Sequence, residues 1–207
     1  MEHPTGLTFG DFEQAAEPFG LFEAWLEAAK AGEPSDPDAA ALATVDADGL
    51  PNVRMVLVRG IDARGFVFYT NAESAKGGEL KARPKAALGF HWKSIRRQVR
   101  ARGNMQPASK AESDTYFASR HRESQISAWA SRQSRPLESR AALEREAARM
   151  GEKFQGAPVP RPPHWHGFRL VPLAIEFWAE GPYRLHDRLV FTRVHPGAPW
   201  QRTRLYP

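Results

Sequence analysis

The 207-residue chain predicts an α+β fold that is mainly antiparallel β. Short runs rich in Val, Phe, Tyr and Thr recur at about ten-residue spacing, separated by tight glycine-containing loops. Stretches with helical apolar spacing fall between those runs, as peripheral helices on a barrel or sandwich would. No internal repeat or low-complexity tract divides the chain, so a single domain is expected over residues 19–207, after a mobile arm over residues 1–18.

Composition narrows the function classes. Apolar residues at 42% and aromatics at 11% suffice for a sizeable core. The absence of cysteine excludes disulfides and thiolate metal sites, and no His/acid spacing suggests zinc, so no metal is expected. The formal charge of +5 is spread along the chain without a basic tail, which favours small anionic ligands over nucleic acid. No apolar run approaches the ~18 residues of a membrane span. Met1-Glu2-His3-Pro4 has no secretory pattern, and the cytoplasm is the expected compartment.

In chain order, Phe19–Ala31 reads as an amphipathic helix with Leu21, Phe22, Trp25, Leu26 and Ala29 on one face and Gly32 at its end. Strands follow at Ala40–Val45, Asn52–Arg59 and Phe66–Thr70, joined by Asp46-Ala47-Asp48-Gly49 and Asp62-Ala63-Arg64-Gly65. Ser74–Ala82 is a short helix capped by Ser74, and Ala86–Trp92 and Arg97–Gly103 are paired strands. Lys110–Ser119, Ser124–Ala130 and Ser139–Phe154 read as helices. The proline-rich link 158–163 leads to strands at Trp165–Leu170, Ala174–Trp178, Leu189–Val194 and Trp200–Leu205.

Several clusters have the chemistry of a ligand site. In Arg184-Leu185-His186-Asp187-Arg188 an extended backbone would send two guanidiniums and an imidazole off one face, as a receptor for a phosphorylated ring; alone it also reads as a solvated strand face. Arg54 and Arg59 bracket the apolar run Met55-Val56-Leu57-Val58, placed to reach a site from its rim. Tyr69 and Thr70, with Ser74 and Lys76, end a strand at a helix N-terminus, where an anion is favoured. Gln98, Arg100 and Arg102 alternate on one strand face, and the Gln98 amide suits a heteroaromatic edge. Tyr116 and Arg120, four apart on a helix, with Ser124 at the next helix start, describe a phosphate-ester clamp, followed by Gln133-Ser134. No phosphate-loop, dinucleotide or nucleophile-elbow motif is present, which points to chemistry supplied by a bound cofactor.

Taken together, Arg54-Met55-Val56-Leu57, Phe68-Tyr69-Thr70-Asn71, Arg97-Gln98-Val99, the block from Tyr116 to Trp129, Gln133-Ser134, Ile175-Glu176-Phe177-Trp178 and Arg184 to Arg188 resemble the pyridoxine/pyridoxamine 5′-phosphate oxidase family, as does the ending Arg204-Leu205-Tyr206-Pro207. The resemblance runs from about residue 20 to the end. It implies an FMN-binding split β-barrel with peripheral helices, a homodimer with FMN at the interface, and oxidation of pyridoxine or pyridoxamine 5′-phosphate to pyridoxal 5′-phosphate by O2 with release of H2O2. By position it implies FMN contacts from Arg54, Met55, Val56, Leu57, Tyr69, Thr70, Lys76, Gln98, Gln133, Ser134, Trp178 and Arg188. The substrate phosphate would meet Arg59, Tyr116, Arg120 and Ser124, with Arg184 and His186 at the ring as catalytic groups and Asp36 near the mouth.

The chain departs from the family pattern in three places. Ala75 stands where an arginine is usual, Arg59 where many members have lysine, and Thr8-Phe9-Gly10-Asp11-Phe12 replaces a basic, tyrosine-containing arm. The alternatives are a paralogous flavin oxidase acting on another aromatic, as in phenazine biosynthesis, and a non-catalytic flavin- or pyridoxal-phosphate-binding protein. An intact 116–124 clamp and 184–188 segment favour the oxidase.

Overall fold

A computed structural model of the chain describes residues 15–207. The arm segment 8–12 lies outside the described residues, and the last two arm positions, Glu17 and Pro18, start the first helix. In α1 (Pro18–Gly32) the Glu17 carboxylate accepts from the N–H groups of Phe19 and Gly20 at 2.8 and 2.6 Å, satisfying two orphan donors of the first turn. The buried face is Phe19, Leu21, Phe22, Trp25, Leu26 and Ala29.

Eight strands form one antiparallel sheet: β1 (Ala39–Val45), β2 (Pro51–Asp62), β3 (Gly65–Asn71), β4 (Lys85–Trp92), β5 (Arg97–Pro107), β6 (Trp165–Ala179), β7 (Asp187–Thr192) and β8 (Gln201–Leu205). Helix α2 (Ala75–Ala82) joins β3 to β4, and α3 (Lys110–Ser119), α4 (Arg122–Ala130) and α5 (Arg140–Lys153) lie between β5 and β6. The strand order is β3-β2-β1-β4-β5-β6-β7-β8, and β3 also pairs with β6. That pairing closes six strands into a barrel and leaves β7 and β8 as an extension.

Strand β6 makes the split. Residues 165–170 pair with β3, residues 174–179 pair with β7, and β5 runs along the other side of both halves. The sequence reading expected two strands here, interrupted around Pro172. The strand continues through the proline because the register slips there: Gly103 of β5 pairs with Pro172 and Arg102 with Ala174, leaving Leu173 as the extra residue of β6. Gly103 makes that close approach possible, since a Cβ there would lie 2.1 Å from the Val171 carbonyl oxygen.

The barrel core gathers Phe22 and Trp25 of α1 against strand aromatics, with ring centroids 5.0 Å apart for Phe22–Phe66, 4.9 Å for Phe22–Phe90 and 5.2 Å for Trp25–Phe177. Each such buried ring stabilises the fold by about 1.5–3 kcal/mol. A second cluster, Phe117, Val159 and Trp165 with Tyr69, Tyr116 and Trp129 against it, holds α3 and α4 to the barrel at β3 and β6. Among the described residues no helix is long and apolar enough to cross a membrane.

The segment 184–188 is not one strand. Pro182–Arg184 form a 3-10 turn, and β7 begins only at Asp187. Tyr183 and Arg184 both have left-handed backbones, with φ of 53° and 65°, so Arg184, His186 and Arg188 do not share a strand face. The Gly181-Pro182 pair causes the turn: Pro182 fixes its first residue, and Gly181 packs so closely that a Cβ would meet the Leu185 carbonyl at 1.8 Å.

Candidate active site

The first cluster is built on the second apolar core. Tyr69 of β3, Tyr116 of α3 and Trp165 of β6 stack, with centroid separations of 4.1 Å for Tyr69–Tyr116 and 5.5 Å for Tyr69–Trp165. The Arg120 guanidinium lies 4.8 Å from the Trp165 ring centre and 5.7 Å from that of Phe117. Arg120 is not on the helix face with Tyr116, as its spacing suggested; α3 stops at Ser119 and Arg120 is its extended C-cap. The Gln125 amide ends the helix by donating to the Phe117 and Ala118 carbonyls at 2.9 and 3.2 Å.

Arg120 Nη1 is buried and has no hydrogen-bond partner. Burial pulls the Arg120 pKa below its ordinary value. An unanswered guanidinium nitrogen beside the Tyr116 phenol is a receptor for an anionic oxygen. Ser124 sits half-buried in the first turn of α4, its N–H bonded to the His121 carbonyl at 2.9 Å.

The second cluster surrounds the start of α2. The Ser74 Oγ accepts from the Gly77 N–H at 3.3 Å. The Lys76 ammonium donates to Thr70 Oγ1 at 3.2 Å, Ser74 Oγ at 3.4 Å and Gln133 Oε1 at 2.8 Å. Burial, followed by the charge of Arg54, depresses the Lys76 pKa. Ser134 follows in a left-handed conformation with φ of 70°. A hydroxyl-flanked lysine at a helix N-terminus fits a phosphomonoester.

Strand β2 distributes its residues by alternation. Arg54 turns inward to Glu79 at 3.0 Å and also bonds Thr44, so it is anchored within the chain. Burial opposes ionisation of Glu79, but bonds from Thr44, Asn52 and Arg54 keep its pKa lowered. Val53, Met55 and Leu57 project outward, 66%, 64% and 38% exposed, while Val56 packs against the core. Arg59 pairs with Asp38. Asp36 lies in the exposed loop before β1, at φ 44°, its carbonyl accepting from the Ala39 N–H at 2.9 Å.

The third cluster is a row across the sheet extension. Gln98 of β5 stands opposite Trp178 of β6, and Trp178 opposite Arg188 of β7. One step along, Arg100 stands opposite Glu176. These residues and Pro207 line an open pocket of about 240 Å³. Glu176 Oε1 accepts from Arg188 Nε and Nη2 at 3.0 and 2.9 Å, and Arg188 Nη1 donates to the Tyr206 carbonyl at 2.9 Å.

The turn after β6 adds a fourth element. Glu180 to Arg184 and His186 line an open pocket of about 770 Å³. The Gly181 N–H donates to His186 Nδ1 at 3.2 Å, so a neutral His186 carries its proton on Nε2. The His186 ring lies 4.6 Å from Trp178, joining this turn to the row. Two consecutive left-handed non-glycine residues cost about 1–3 kcal/mol each and mark a backbone held in an uncommon shape.

Within the chain, Tyr69, Tyr116 and Arg120 come together, as do Thr70, Lys76 and Gln133, and as do Gln98, Trp178, Arg188 and His186. Trp165, Glu79, Asp38 and Glu176 were missed as partners of these groups. For Glu176 a signal was present, a lone carboxylate in an apolar strand two residues before Trp178.

A closed six-stranded barrel with a two-strand extension and peripheral helices defines the split-barrel class of α+β proteins. Residues 26–154 match the family model described as pyridoxamine 5′-phosphate oxidase, and residues 165–207 match one described as pyridoxine 5′-phosphate oxidase C-terminal dimerisation region. The chain belongs to the pyridoxamine 5′-phosphate oxidase family. A pyridoxine/pyridoxamine 5′-phosphate oxidase of Nitrobacter winogradskyi is 61% identical over 207 residues, covering 100% of this chain and 97% of the relative. One of Azorhizobium caulinodans is 60% identical, covering 100% and 98%. Among solved structures, PhzG from Burkholderia lata in complex with tetrahydrophenazine-1-carboxylic acid is 33% identical, with a TM-score of 0.91 and full coverage of both chains.

Proposed function

We propose that the protein oxidises pyridoxine 5′-phosphate, pyridoxamine 5′-phosphate or both to pyridoxal 5′-phosphate, with FMN as cofactor, O2 as acceptor and H2O2 as second product. Its full-length relatives at about 60% identity carry that name. The structural observation that carries the reading is the buried, partnerless Nη1 of Arg120 beside Tyr116, which an ester phosphate would satisfy. Tyr116, Ser124 and Arg59 complete the phosphate end. Arg184 and His186 take the ring, where the Nε2–H of His186 donates to the ring oxygen and steadies its developing charge. Asp36 stands at the mouth.

The residues present fit FMN. Lys76, Thr70, Gln133 and Ser134 suit its phosphate, and Tyr69 and the β2 segment Arg54, Met55, Val56 and Leu57 complete the proposed contacts, Met55 and Leu57 from the outward face of the strand and Arg54 and Val56 from its inward one. Gln98, Trp178 and Arg188 offer an amide, a ring and a cation in one row. When bound, FMN supplies the two-electron acceptor that O2 then reoxidises. The outward Val53, Met55 and Leu57 give an apolar strip suited to a second protomer, so we place FMN at a homodimer interface. The proposed compartment is the cytoplasm.

The test is anaerobic addition of pyridoxine or pyridoxamine 5′-phosphate to the FMN-loaded protein. Bleaching of the flavin, then recovery in air with H2O2 release, is expected. A flavin that neither compound bleaches but a reduced phenazine precursor does would replace this reading with the activity class of the 33%-identical relative.

A further inference from the structure

We infer that Glu176 is a positioning residue that presets the Arg188 guanidinium for the flavin, which rests on the assignment of Arg188 to FMN above. Glu176 lies on β6, two residues before Trp178, and its side chain is only 12% exposed. It has a neighbour on each side. Its Oε1 takes both Nε and Nη2 of Arg188, at 3.0 and 2.9 Å. Its Oε2 takes Arg100 Nη2, from the residue opposite it on β5.

The Tyr206 carbonyl holds Arg188 Nη1 at 2.9 Å. Three nitrogens of one guanidinium are therefore fixed before any ligand arrives. One hydrogen on each of Nη1 and Nη2 remains to donate. Arginine otherwise loses much rotamer freedom on binding, and a side chain ordered in advance spares the ligand that cost.

The sign of the effect separates positioning from simple electrostatics. A carboxylate beside an anion site repels the anion, so by charge alone its removal would tighten FMN. As a positioning group its removal loosens FMN, because Arg188 is freed. Outer groups that orient a ligand-binding side chain act in this second way.

The experiment titrates flavin-free full-length protein with FMN, following flavin fluorescence, for wild type, Glu176→Gln, Arg188→Ala and the double variant. Glu176→Gln is expected to weaken FMN about tenfold in the wild-type background and to have no effect in the Arg188→Ala background. Unchanged or tighter FMN binding by Glu176→Gln overturns the inference, as does an equal loss in both backgrounds. If Glu176→Gln does not fold, as read by its thermal transition, Glu176→Asp takes its place in the same cycle. FMN binding that Arg188→Ala leaves intact overturns the assignment of Arg188 to the flavin. No FMN binding by wild type overturns the functional reading itself, and the inference with either.

Discussion

The two ends of α3 solve opposite problems. At its N-terminus, Ser109 and Glu112 form a capping box, with the Ser109 N–H donating to Glu112 at 2.8 Å and the Glu112 N–H donating back to Ser109 Oγ at 3.1 Å. The same carboxylate accepts from the buried Arg169 at 2.7 Å and from Arg64 at 3.1 Å, and Asp62 completes the network at 2.9 Å from Arg169. At the other end of the helix the half-buried Arg120 lies on Trp165 with its buried Nη1 unanswered. A buried donor without an acceptor costs about 1–3 kcal/mol, which the fold tolerates where a ligand completes the bond. The satisfied end holds β6 and the β2–β3 turn to the helix, and the unsatisfied end is the one we propose to bind the substrate phosphate.

The largest expected effect is therefore at Arg120. Arg120→Ala should lower kcat/KM for the phosphorylated substrate about 100-fold, mainly through KM, because two charge-assisted bonds to phosphate are lost. The melting temperature of the ligand-free protein should stay level or rise, since a half-buried guanidinium with an unanswered nitrogen has been removed. Steady-state kinetics and a thermal melt check this together. A lower melting temperature with unchanged KM would make Arg120 a cation–π brace and erase the contrast between the two ends.

Arg169→Met should give the reverse pattern. Asp62 and Glu112 lose the buried one of the two arginines they share and keep Arg64, at a cost of about 1–3 kcal/mol in a urea titration, held low because both carboxylates are partly exposed. The KM of the folded enzyme should not move. A KM increase comparable to that of Arg120→Ala would mean that the network transmits to the clamp along α3.

The barrel was readable from sequence wherever local chemistry decides structure. Gly49 and Gly65, both with positive φ, mark hairpin loops, Ser74 and Ser139 cap helices, and the apolar face of α1 follows from its spacing. Local chemistry misled in two places. Pro172 looked like a strand end because the irregularity that accommodates it, with Leu173 as the extra residue of β6, exists only against Arg102 and Gly103 of β5, about seventy residues away. The alternation of Arg184, His186 and Arg188 looked like a strand face, but Gly181-Pro182 had already committed the chain to a turn. The cationic site residues were visible, whereas the carboxylates that anchor them were not. Arg54–Glu79 and Arg100–Glu176 join residues 25 and 76 apart, the first through the packing of α2 on the sheet and the second through the register of β5 on β6.

The smallest effect distinguishes the ends of α3 by pH. The bonds from Ser109, then the charge of Arg169, hold the Glu112 pKa down from 4.5 to about 2. A carboxylate with a lowered folded-state pKa contributes stability that is fully present above its unfolded value and lost as pH falls through the folded one. The melting-temperature gap between wild type and Glu112→Gln should therefore be constant from neutral pH to about 4.5 and shrink steadily toward pH 2. Asp62, also lowered by its bonds to Arg64 and by Arg169, is present in both proteins and sets a common slope that the difference removes. The gap between wild type and Arg120→Ala should show no such trend, because the charges that act on Arg120 include no carboxylate. A parallel acid-dependent narrowing in both pairs would show that an acidic group also answers Arg120, and the clamp would then be closed by the protein before any substrate enters.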